Sequence, residues 1–307
     1  MTKYDFGMYK YSFIIPHRNT PVLLLRLLDS IPQRDDIEII IVDDNSDVGL
    51  VDFNHFPGIG RKHTKVIFNK EPDRGAGYAR NLGLEVAIGE WLLFADADDY
   101  YDSGNLNDML DRFENDTITD IVYLNAKRFD EFHYFQPYYI DRLIKNYLAK
   151  ERYSEMYLRY SIWTPWTRMV RHQLVIDHNI KFEEVPAAND KNFCLECSRY
   201  ASVIGVEDSC IYYYYRPQSM SQTDKKRNSN ALDSMICVRT HTNEIYEAVG
   251  YRHMLSYFAL FHKSVYASDI PFGQRCQKYF RTIRANDVCL FLDLYRYCRG
   301  RISHQSI

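Results

Sequence analysis

The chain has 307 residues and a formal net charge of −3, and its content of 46% hydrophobic and 26% charged residues is typical of a folded globular protein. The near-neutral charge argues against a nucleic-acid partner, and no run reaches the roughly 18 apolar residues that a membrane-spanning helix needs. The N-terminus lacks the layout of a signal peptide, and the seven scattered cysteines predict no disulfide framework or zinc ribbon, so we expect a cytoplasmic location.

The first part of the chain predicts apolar strands that alternate with helices. The strands are predicted at 11–16, 37–42, 64–69, 91–95 and 120–125. Helices are predicted at 20–31, where Thr20 suits the N-cap and Pro21 the first turn, and at 75–89. Buried strands separated by helices indicate an α/β fold with a mostly parallel sheet that is covered by helices on both faces.

The residue pattern of the sequence changes after about residue 126, where aromatic and charged residues interleave. The segment 163–215 mixes short helices and strands, with one helix at 191–200. A polar linker is predicted from about 223, and the remainder is predicted to be mostly helical, with helices at 234–249 and 253–267. A helical extension therefore follows the α/β part of the chain.

Polar residues follow three of the predicted strands, at 17–19, 43–46 and 96–99. Ligands of open parallel sheets bind beyond the carboxyl ends of the strands, so these three segments are expected to meet at one rim. Turn chemistry alone would explain any one of them. The coincidence of all three favours a ligand site.

Three possible explanations of the acidic segment "DADDYYD" at 96–102 fail. A calcium loop of the EF-hand type fails, because Tyr101 stands where glycine is required and Asn107 where glutamate is required. Helix capping explains Asp102 or Ser103, but not the carboxylates before them. A dinucleotide fingerprint at 75–80 is excluded, because it does not follow the first strand and ends in arginine.

A divalent-metal site for a diphosphate explains the acidic segment better. Mg²⁺ and Mn²⁺ prefer one or two carboxylates, with phosphate oxygens and water in the remaining positions. A bound cation also offsets the mutual repulsion of Asp96, Asp98 and Asp99. The strand at 91–95 is then a rigid arm that presents negative charge to a metal ion.

With these motifs the sequence resembles the family 2 glycosyltransferases of the GT-A fold, which use nucleotide-diphosphate sugars. The matching stretches are "FIIPHRN" at 13–19, "IIIVDDNSD" at 39–47, "GAGYARNLGLEVAIGEWLLFADADD" at 75–99 and "NDKNF" at 189–193. The first three occur in the order and spacing of the family, and the resemblance thins beyond residue 126. It implies a Rossmann-like GT-A sheet flanked by helices, with a C-terminal helical extension.

The resemblance implies roles for individual residues. The end of the first strand would contact the nucleoside through Pro16, His17 and Arg18. Asp44 would bond the uracil ring, and Arg80 would lie near the diphosphate or the base. In the Asp-x-Asp motif, Asp96 would face the ribose or sugar and share the metal, Mn²⁺ or Mg²⁺, with Asp98. These roles agree with chemistry, because a carboxylate accepts the uracil imide N–H and the arginine fork matches phosphate oxygens.

In the acceptor half, the resemblance implies that Asp190 is the general base. The family's usual Glu-Asp pair is here Asn189-Asp190, so the first member departs from the pattern. Capping of the helix 191–200 is an alternative role for Asp190. The fallback bases are Glu183, Glu184 and Asp208. Two aromatic residues, Trp163 and Trp166, suit either a sugar ring or core packing, and Arg216 and Ser219 are candidates for the diphosphate.

The sequence thus predicts three parts: a nucleotide-sugar-binding subdomain at 1–125, an acceptor-binding and catalytic-base subdomain at 126–222, and the helical extension at 223–307. The predicted function is an inverting transfer of a hexosyl or N-acetylhexosaminyl group from a UDP-sugar to a glycan or lipid-linked acceptor in bacterial surface-polysaccharide synthesis. A sugar nucleotidyltransferase and a catalytically idle nucleotide-binding module are the alternatives. The former usually has a glycine-rich loop where this chain has "PHRNTP".

The last segment, 287–304, is apolar and then basic. Two interpretations stay open for it. It lies on an anionic membrane surface at the inner face of the plasma membrane, or it packs on the body of the protein or on a second subunit of a homodimer.

Overall fold

The computed structural model describes residues 9–71, 74–130, 132, 135–185, 188–216, 229–251, 255–261 and 270–305. Its strands are β1 Tyr11–His17, β2 Ile37–Asp43, β3 Thr64–Phe68, β4 Trp91–Phe94, β5 Tyr100–Tyr101, β6 Ile121–Phe129, β7 Gln136–Pro137, β8 Arg168–Arg171 and β9 Ile204–Tyr215. Its main helices are α1 Pro21–Ser30, α2 Gly75–Val86, α3 Ser103–Phe113, α4 Tyr139–Leu148, α5 Ser154–Ser161, α6 His172–Asp177, α7 Lys191–Tyr200, α8 Ser229–Ala248, α9 Phe272–Ala285 and α10 Leu290–Gln305.

All the described strands belong to one sheet, whose order is β3-β2-β1-β4-β8-β6-β9-β5, with β7 beside β6. The first four strands are parallel, so that Ile14 of β1 lies opposite Ile40 of β2 and Phe94 of β4. Strand β8 pairs antiparallel with both β4 and β6, and β9 returns parallel to β6. The carboxyl ends of β1, β2 and β4 therefore open on the same rim, as the sequence predicts.

The apolar strands form the centre of the core. Every residue of β1, β2 and β4 is buried, because helices cover both faces of this part of the sheet. Helix α1 contributes Leu24, Leu27 and Leu28 from one face. Helix α2 approaches β1 so closely that a Cβ at Gly83 would stand 2.5 Å from Ile14 Cγ2. The predicted α/β fold is confirmed.

The C-terminal helices have a small core of their own, built from Leu232, Tyr257, Leu260, Phe261, Tyr279 and Ile283. Helix α8, which confirms the helix predicted at 234–249, packs against α7. Only 255–261 of the predicted helix 253–267 lies within the described residues. Strand β6 crosses the predicted boundary at 125/126, so one sheet serves both predicted subdomains, whose division by function stays a prediction. Among the described helices, none is long and apolar enough to cross a bilayer.

Candidate active site

The end of β1 is fixed by a buried histidine. His17 Nε2 accepts a hydrogen bond from the Thr20 backbone N–H at 3.1 Å, so the proton lies on Nδ1, which contacts Asp43 Oδ1 at 2.8 Å. Burial opposes ionisation of Asp43, but the hydrogen bonds from His17 and Ser46 outweigh it and lower the pKa of this carboxyl. His17 therefore joins the ends of β1 and β2, and its role toward a nucleoside stays a prediction.

The second aspartate of β2 lies beside the third strand. Asp44 is buried, and its Oδ1 accepts a hydrogen bond from Asn69 Nδ2 at 3.1 Å. The Asp44 backbone N–H donates to His17 O at 2.8 Å, and Asn69 N–H donates to Asp43 O at 2.9 Å. This geometry orients the Asp44 carboxylate with one oxygen bonded, which suits the predicted contact with the imide N–H of uracil.

Helix α2 carries an arginine that joins the two predicted halves of the site. Arg80 is 4% exposed, and its Nη2 contacts Asp96 Oδ1 at 2.5 Å while its Nη1 donates to Asn189 Oδ1 at 3.1 Å. Within the described residues, its buried Nε has no hydrogen-bond partner. Arg80 thus connects the acidic motif after β4 with the segment just before α7, and its Nε–H is left without a hydrogen bond.

The three aspartates after β4 have different surroundings. Asp98 is partly exposed; burial and, second, the neighbouring charge of Asp96 raise its pKa to about 6. Asp99 is fully buried and accepts hydrogen bonds from the Tyr212 hydroxyl at 2.6 Å and from the Tyr215 backbone N–H at 2.7 Å. Burial, followed by the charges of Asp98 and Asp96, raises the pKa of Asp99 well above its ordinary value. Asp99 therefore anchors β9, whereas Asp96 and Asp98 face the rim.

Asp96 and Asp98 suit a divalent cation that is shared with a diphosphate. Within the parts of the chain that are described, no group of three or more His, Cys, Asp or Glu side chains is placed to hold a metal ion. Burial and, second, the negative charge of Asp96 raise the pKa of Asp98, as is usual for a carboxyl group close to another carboxylate. A hard cation that takes one or two carboxylates and several phosphate oxygens fits this pair.

Asp190 lies at the start of α7 without acting as its cap. It occupies the N-cap position, but its side chain makes no capping hydrogen bond. Burial raises the pKa of its carboxyl; the charge of Arg80 opposes this rise, and that of Asp96 adds to it. The side chain therefore does not cap α7, and the role of Asp190 as general base stays a prediction.

Gly77 lets the segment before α7 approach helix α2. A Cβ on Gly77 would stand 2.1 Å from Glu183 O and 2.9 Å from Asn189 Cβ. Any larger residue would push this segment away, because the first of these contacts is with backbone. The absence of a side chain at Gly77 thus keeps Asn189 within reach of Arg80.

Two of the three fallback bases, Glu183 and Glu184, have side-chain partners. Glu183 Oε1 contacts His241 Nδ1 at 3.0 Å, and Glu184 pairs with Arg74. Asp208 is an exposed residue of β9 whose backbone carbonyl accepts from Asn125 Nδ2 at 2.8 Å. The role of Asp190 as the base stays a prediction.

The remaining predicted residues take varied positions. Pro16 is buried in β1 opposite Val42, and Arg18 is exposed just beyond the strand. Trp166 is 3% exposed and stacks on Tyr212 with 4.8 Å between ring centroids, which favours packing over a sugar contact. Arg216 is exposed at the end of β9, and its backbone N–H donates to Phe129 O at 2.8 Å. Ser219 lies outside the described residues.

Three contributors were not predicted. Asn69 orients Asp44, and it ends the predicted strand 64–69, so the rule that polar residues at strand ends form the site would have found it. Tyr212 also accepts from the Asp96 N–H at 3.0 Å, and Arg26 Nη2 donates to Asp98 O at 2.5 Å. The run of tyrosines and the helical arginine carry no local signal of these contacts.

Comparison with known proteins identifies the family. The model of "Glycosyl transferase family 2" matches residues 12–177. Over 216 residues the chain is 29% identical to the poly(ribitol-phosphate) beta-N-acetylglucosaminyltransferase TarS of Staphylococcus aureus strain Mu50, a match that covers 67% of this chain and 35% of TarS. A PGL/p-HBAD biosynthesis glycosyltransferase of Mycobacterium tuberculosis strain H37Ra is 31% identical over 140 residues, covering 44% of this chain and 54% of that protein. The match therefore spans about a third of TarS and about half of the mycobacterial relative.

Solved structures show the same fold. The crystal structure of S. aureus TarS 1–349 in complex with UDP-GlcNAc aligns with a TM-score of 0.60 and 20% identity, covering 90% of this chain and 73% of that one. The complex of TarS 1–349 with UDP aligns with a TM-score of 0.59 and 20% identity, covering 89% and 70%. The predicted GT-A architecture is confirmed. The chain belongs to glycosyl transferase family 2.

Proposed function

We propose that this protein transfers a sugar, a hexosyl or N-acetylhexosaminyl group, from a UDP-sugar to a hydroxyl of a glycan or lipid-linked acceptor, with inversion at the anomeric carbon. The observation that supports this most is the bridge made by Arg80, which bonds both Asp96 of the acidic motif and Asn189 next to Asp190. These two contacts support one shared site, because they link the motif predicted to hold the diphosphate to the neighbour of the predicted base. The complexes of TarS with UDP and UDP-GlcNAc favour a uridine donor, and the family 2 match favours transferase chemistry over the predicted alternatives.

On the donor side, Asp44 receives the uracil ring and the arginine bridge orients the acidic motif. Asp98, with Asp96, would hold Mn²⁺ or Mg²⁺, which when bound supplies neutralisation of the charge that grows on the departing diphosphate. Arg80 adds a positive charge beside the motif, which it holds through its contact with Asp96. Tyr212 and the backbone of Tyr215 hold Asp99 and so fix the turn that presents both metal-binding carboxylates.

On the acceptor side, the Asp190 carboxylate takes the proton of the attacking hydroxyl. The C–O bond to the sugar forms on the face opposite the bond to the diphosphate, which breaks, so the anomeric configuration inverts. General-base help of this kind contributes about 10²–10⁴-fold to the rate. The raised pKa of Asp190 makes it a stronger base than an exposed aspartate, which suits proton removal from an alcohol.

The test is a panel of nucleotide sugars, assayed for nucleotide release with and without Mn²⁺ and with candidate glycan acceptors. We expect metal-dependent turnover with a UDP-sugar. The turnover rate should fall by at least about 10²-fold in Asp190→Asn. Pyrophosphate release from a nucleoside triphosphate would instead indicate a nucleotidyltransferase. Nucleotide binding without transfer to any acceptor would indicate a binding module.

The proposal includes contact with an anionic membrane near a lipid-linked acceptor. Helix α10 exposes Phe291 by 81% and, one turn later, Tyr295 by 60%. The sequence of α9 beside it holds four basic and no acidic residues. Flotation with anionic vesicles should recover the protein, and Phe291→Asp should abolish recovery. If the same face instead forms a homodimer, the molecular mass in solution should depend on protein concentration. Phe291→Asp should then reduce the mass to that of a monomer.

A further inference from the structure

Helix α8 reaches the candidate active site through a histidine with two carboxylate partners. His241 Nδ1 lies 3.0 Å from Glu183 Oε1, and its Nε2 lies 3.2 Å from Glu196 Oε1. Glu183 belongs to the segment before α7, and Glu196 to α7 itself. One side chain of the C-terminal helices therefore contacts both elements that flank Asp190.

Glu183 is tied in turn to the residues that form the site. Its backbone N–H donates to Asn189 O at 3.1 Å, which joins Glu183 directly to the residue before Asp190. The side chain of Asn189 accepts from Arg80 at 3.1 Å, and Arg80 pairs with Asp96. A continuous set of hydrogen bonds thus runs from His241 to the acidic motif and passes directly beside Asp190.

A second set of contacts, around the buried side chain of Asn192, reinforces the first. Asn192 Nδ2 donates to Glu183 Oε1 at 2.6 Å and to Val238 O at 3.0 Å, and Asn192 Oδ1 accepts from Thr242 Oγ1 at 2.7 Å. Asn192 is 1% exposed and Thr242 is fully buried. Buried polar groups that bond one another in this way favour a single packing arrangement, because any shift leaves a group unsatisfied. The register of α8 on α7 is therefore fixed where α7 begins.

We propose that His241 is a positioning residue, which holds the segment 183–190 and so places Asp190 for proton removal. The C-terminal helical region is then a working part of the acceptor side of the active site, and not an appendage to it. The proposal rests on the proposed function in one respect, the role of Asp190 as the base. The contact of α8 with the segment does not depend on that role.

The charge of His241 suits this task. The hydrogen bonds to Glu183 and then Glu196 raise the pKa of the imidazole to about 9, so at neutral pH both ring nitrogens donate. The nearby ionisable groups are Lys191, which interacts with Glu183 and whose pKa burial lowers well below its ordinary value, and Arg199, which lies 3.5 Å from Glu196. As pH rises through about 9, one imidazole N–H is lost, and one of the two carboxylates loses its hydrogen bond from His241. The stabilisation is therefore complete below the ordinary imidazole pKa and disappears on the alkaline side.

The experiment compares His241→Ala and His241→Gln with the control His55→Ala. His55 forms a comparable pair with Asp52 at 2.7 Å, but this pair is exposed and lies on another part of the surface. We expect His241→Ala to lower kcat by about 10–100-fold, as for a misplaced catalytic group, with UDP affinity in Mn²⁺ changed by less than about threefold. His241→Gln keeps one donor that does not titrate, so its kcat should lack the decline that the wild type shows near pH 9. The control should match the wild type.

Hydrogen exchange in the segment 183–190 provides a readout independent of catalysis. His241→Ala should lose protection there, and His55→Ala should not. Unchanged kcat, pH profile and protection in both His241 variants would overturn the proposal. If the wild type transfers no sugar but the segment loses protection, the proposed function fails while the contact of α8 with the segment stands. If His241→Ala does not fold, the pH profile and exchange of His241→Gln decide.

Discussion

Replacing Gly77 by alanine adds one methyl group. We expect this change to lower the rate of sugar transfer without a matching loss of folding stability. Gly77 lies inside α2, where replacement by alanine ordinarily favours the helix by about 1 kcal/mol. In this structure, however, the new Cβ would stand 2.1 Å from Glu183 O, about 0.9 Å short of the 3.0 Å below which such contacts are essentially not found. Because the contact is with backbone, the segment 183–189 must move by about that distance.

A displacement of this size is large for a catalytic group. Misplacement by about 1 Å can cost about 10²-fold in rate. The segment carries Asn189, and its movement weakens the bond to Arg80 and shifts Asp190, the next residue. We therefore expect Gly77→Ala to lose about 10²-fold in kcat, whereas α2 itself gains helix propensity.

Gly83 offers a matched control within the same helix. A Cβ there would meet Ile14 Cγ2 at 2.5 Å, which is a side chain of the core and is remote from the segment before α7. Gly83→Ala should therefore destabilise the protein without a selective loss of turnover. The assay measures steady-state sugar transfer together with the free energy of unfolding by urea. Equal kcat in Gly77→Ala and the wild type would refute the reasoning, as would a Gly83→Ala variant that loses turnover and keeps its stability.

Further predictions concern the ends of the strands and the base. Asp190→Asn should lower kcat by about 10²–10⁴-fold and leave UDP binding, measured by calorimetry, nearly unchanged. In the wild type, kcat should fall as pH drops through a pKa above the ordinary 3.8, since burial raises the pKa of Asp190, and a pH–rate profile measures this. Asp44→Ala should reduce the preference for UDP over CDP, as competition binding would show. Tyr212→Phe removes a hydrogen bond from the buried Asp99 and should cost about 1–3 kcal/mol in the free energy of unfolding, measured by urea.

The sheet and the rim of the site were predictable because the signals are local. Apolar strands end in polar residues, and the parallel arrangement of β1, β2 and β4 brings those ends together. The cap at Asp102 was also predictable, and its carboxylate accepts from the Asn105 N–H at 3.1 Å. Each of these features depends on residues that are neighbours along the chain.

The contacts that complete the site could not be predicted, because they join residues far apart in sequence. Tyr212 and Asp99 are 113 residues apart, and Arg80 and Asn189 are 109 apart. Asp96, Asp98 and Asp99 look alike in sequence, yet only the fold shows that Asp99 is buried against β9 while its neighbours face the rim. The tight approach at Gly77 has no sequence signal beyond the glycine itself.

The central hypothesis is that Asp98 and Asp96 hold a divalent cation against a diphosphate. Calorimetric titration of UDP into the wild type and Asp98→Asn, each with and without Mn²⁺, tests it directly. We expect Mn²⁺ to strengthen UDP binding to the wild type and to have little effect on UDP binding to the variant. The hypothesis is wrong if Mn²⁺ does not change UDP binding to the wild type. It is also wrong if UDP binding depends equally on Mn²⁺ in both proteins.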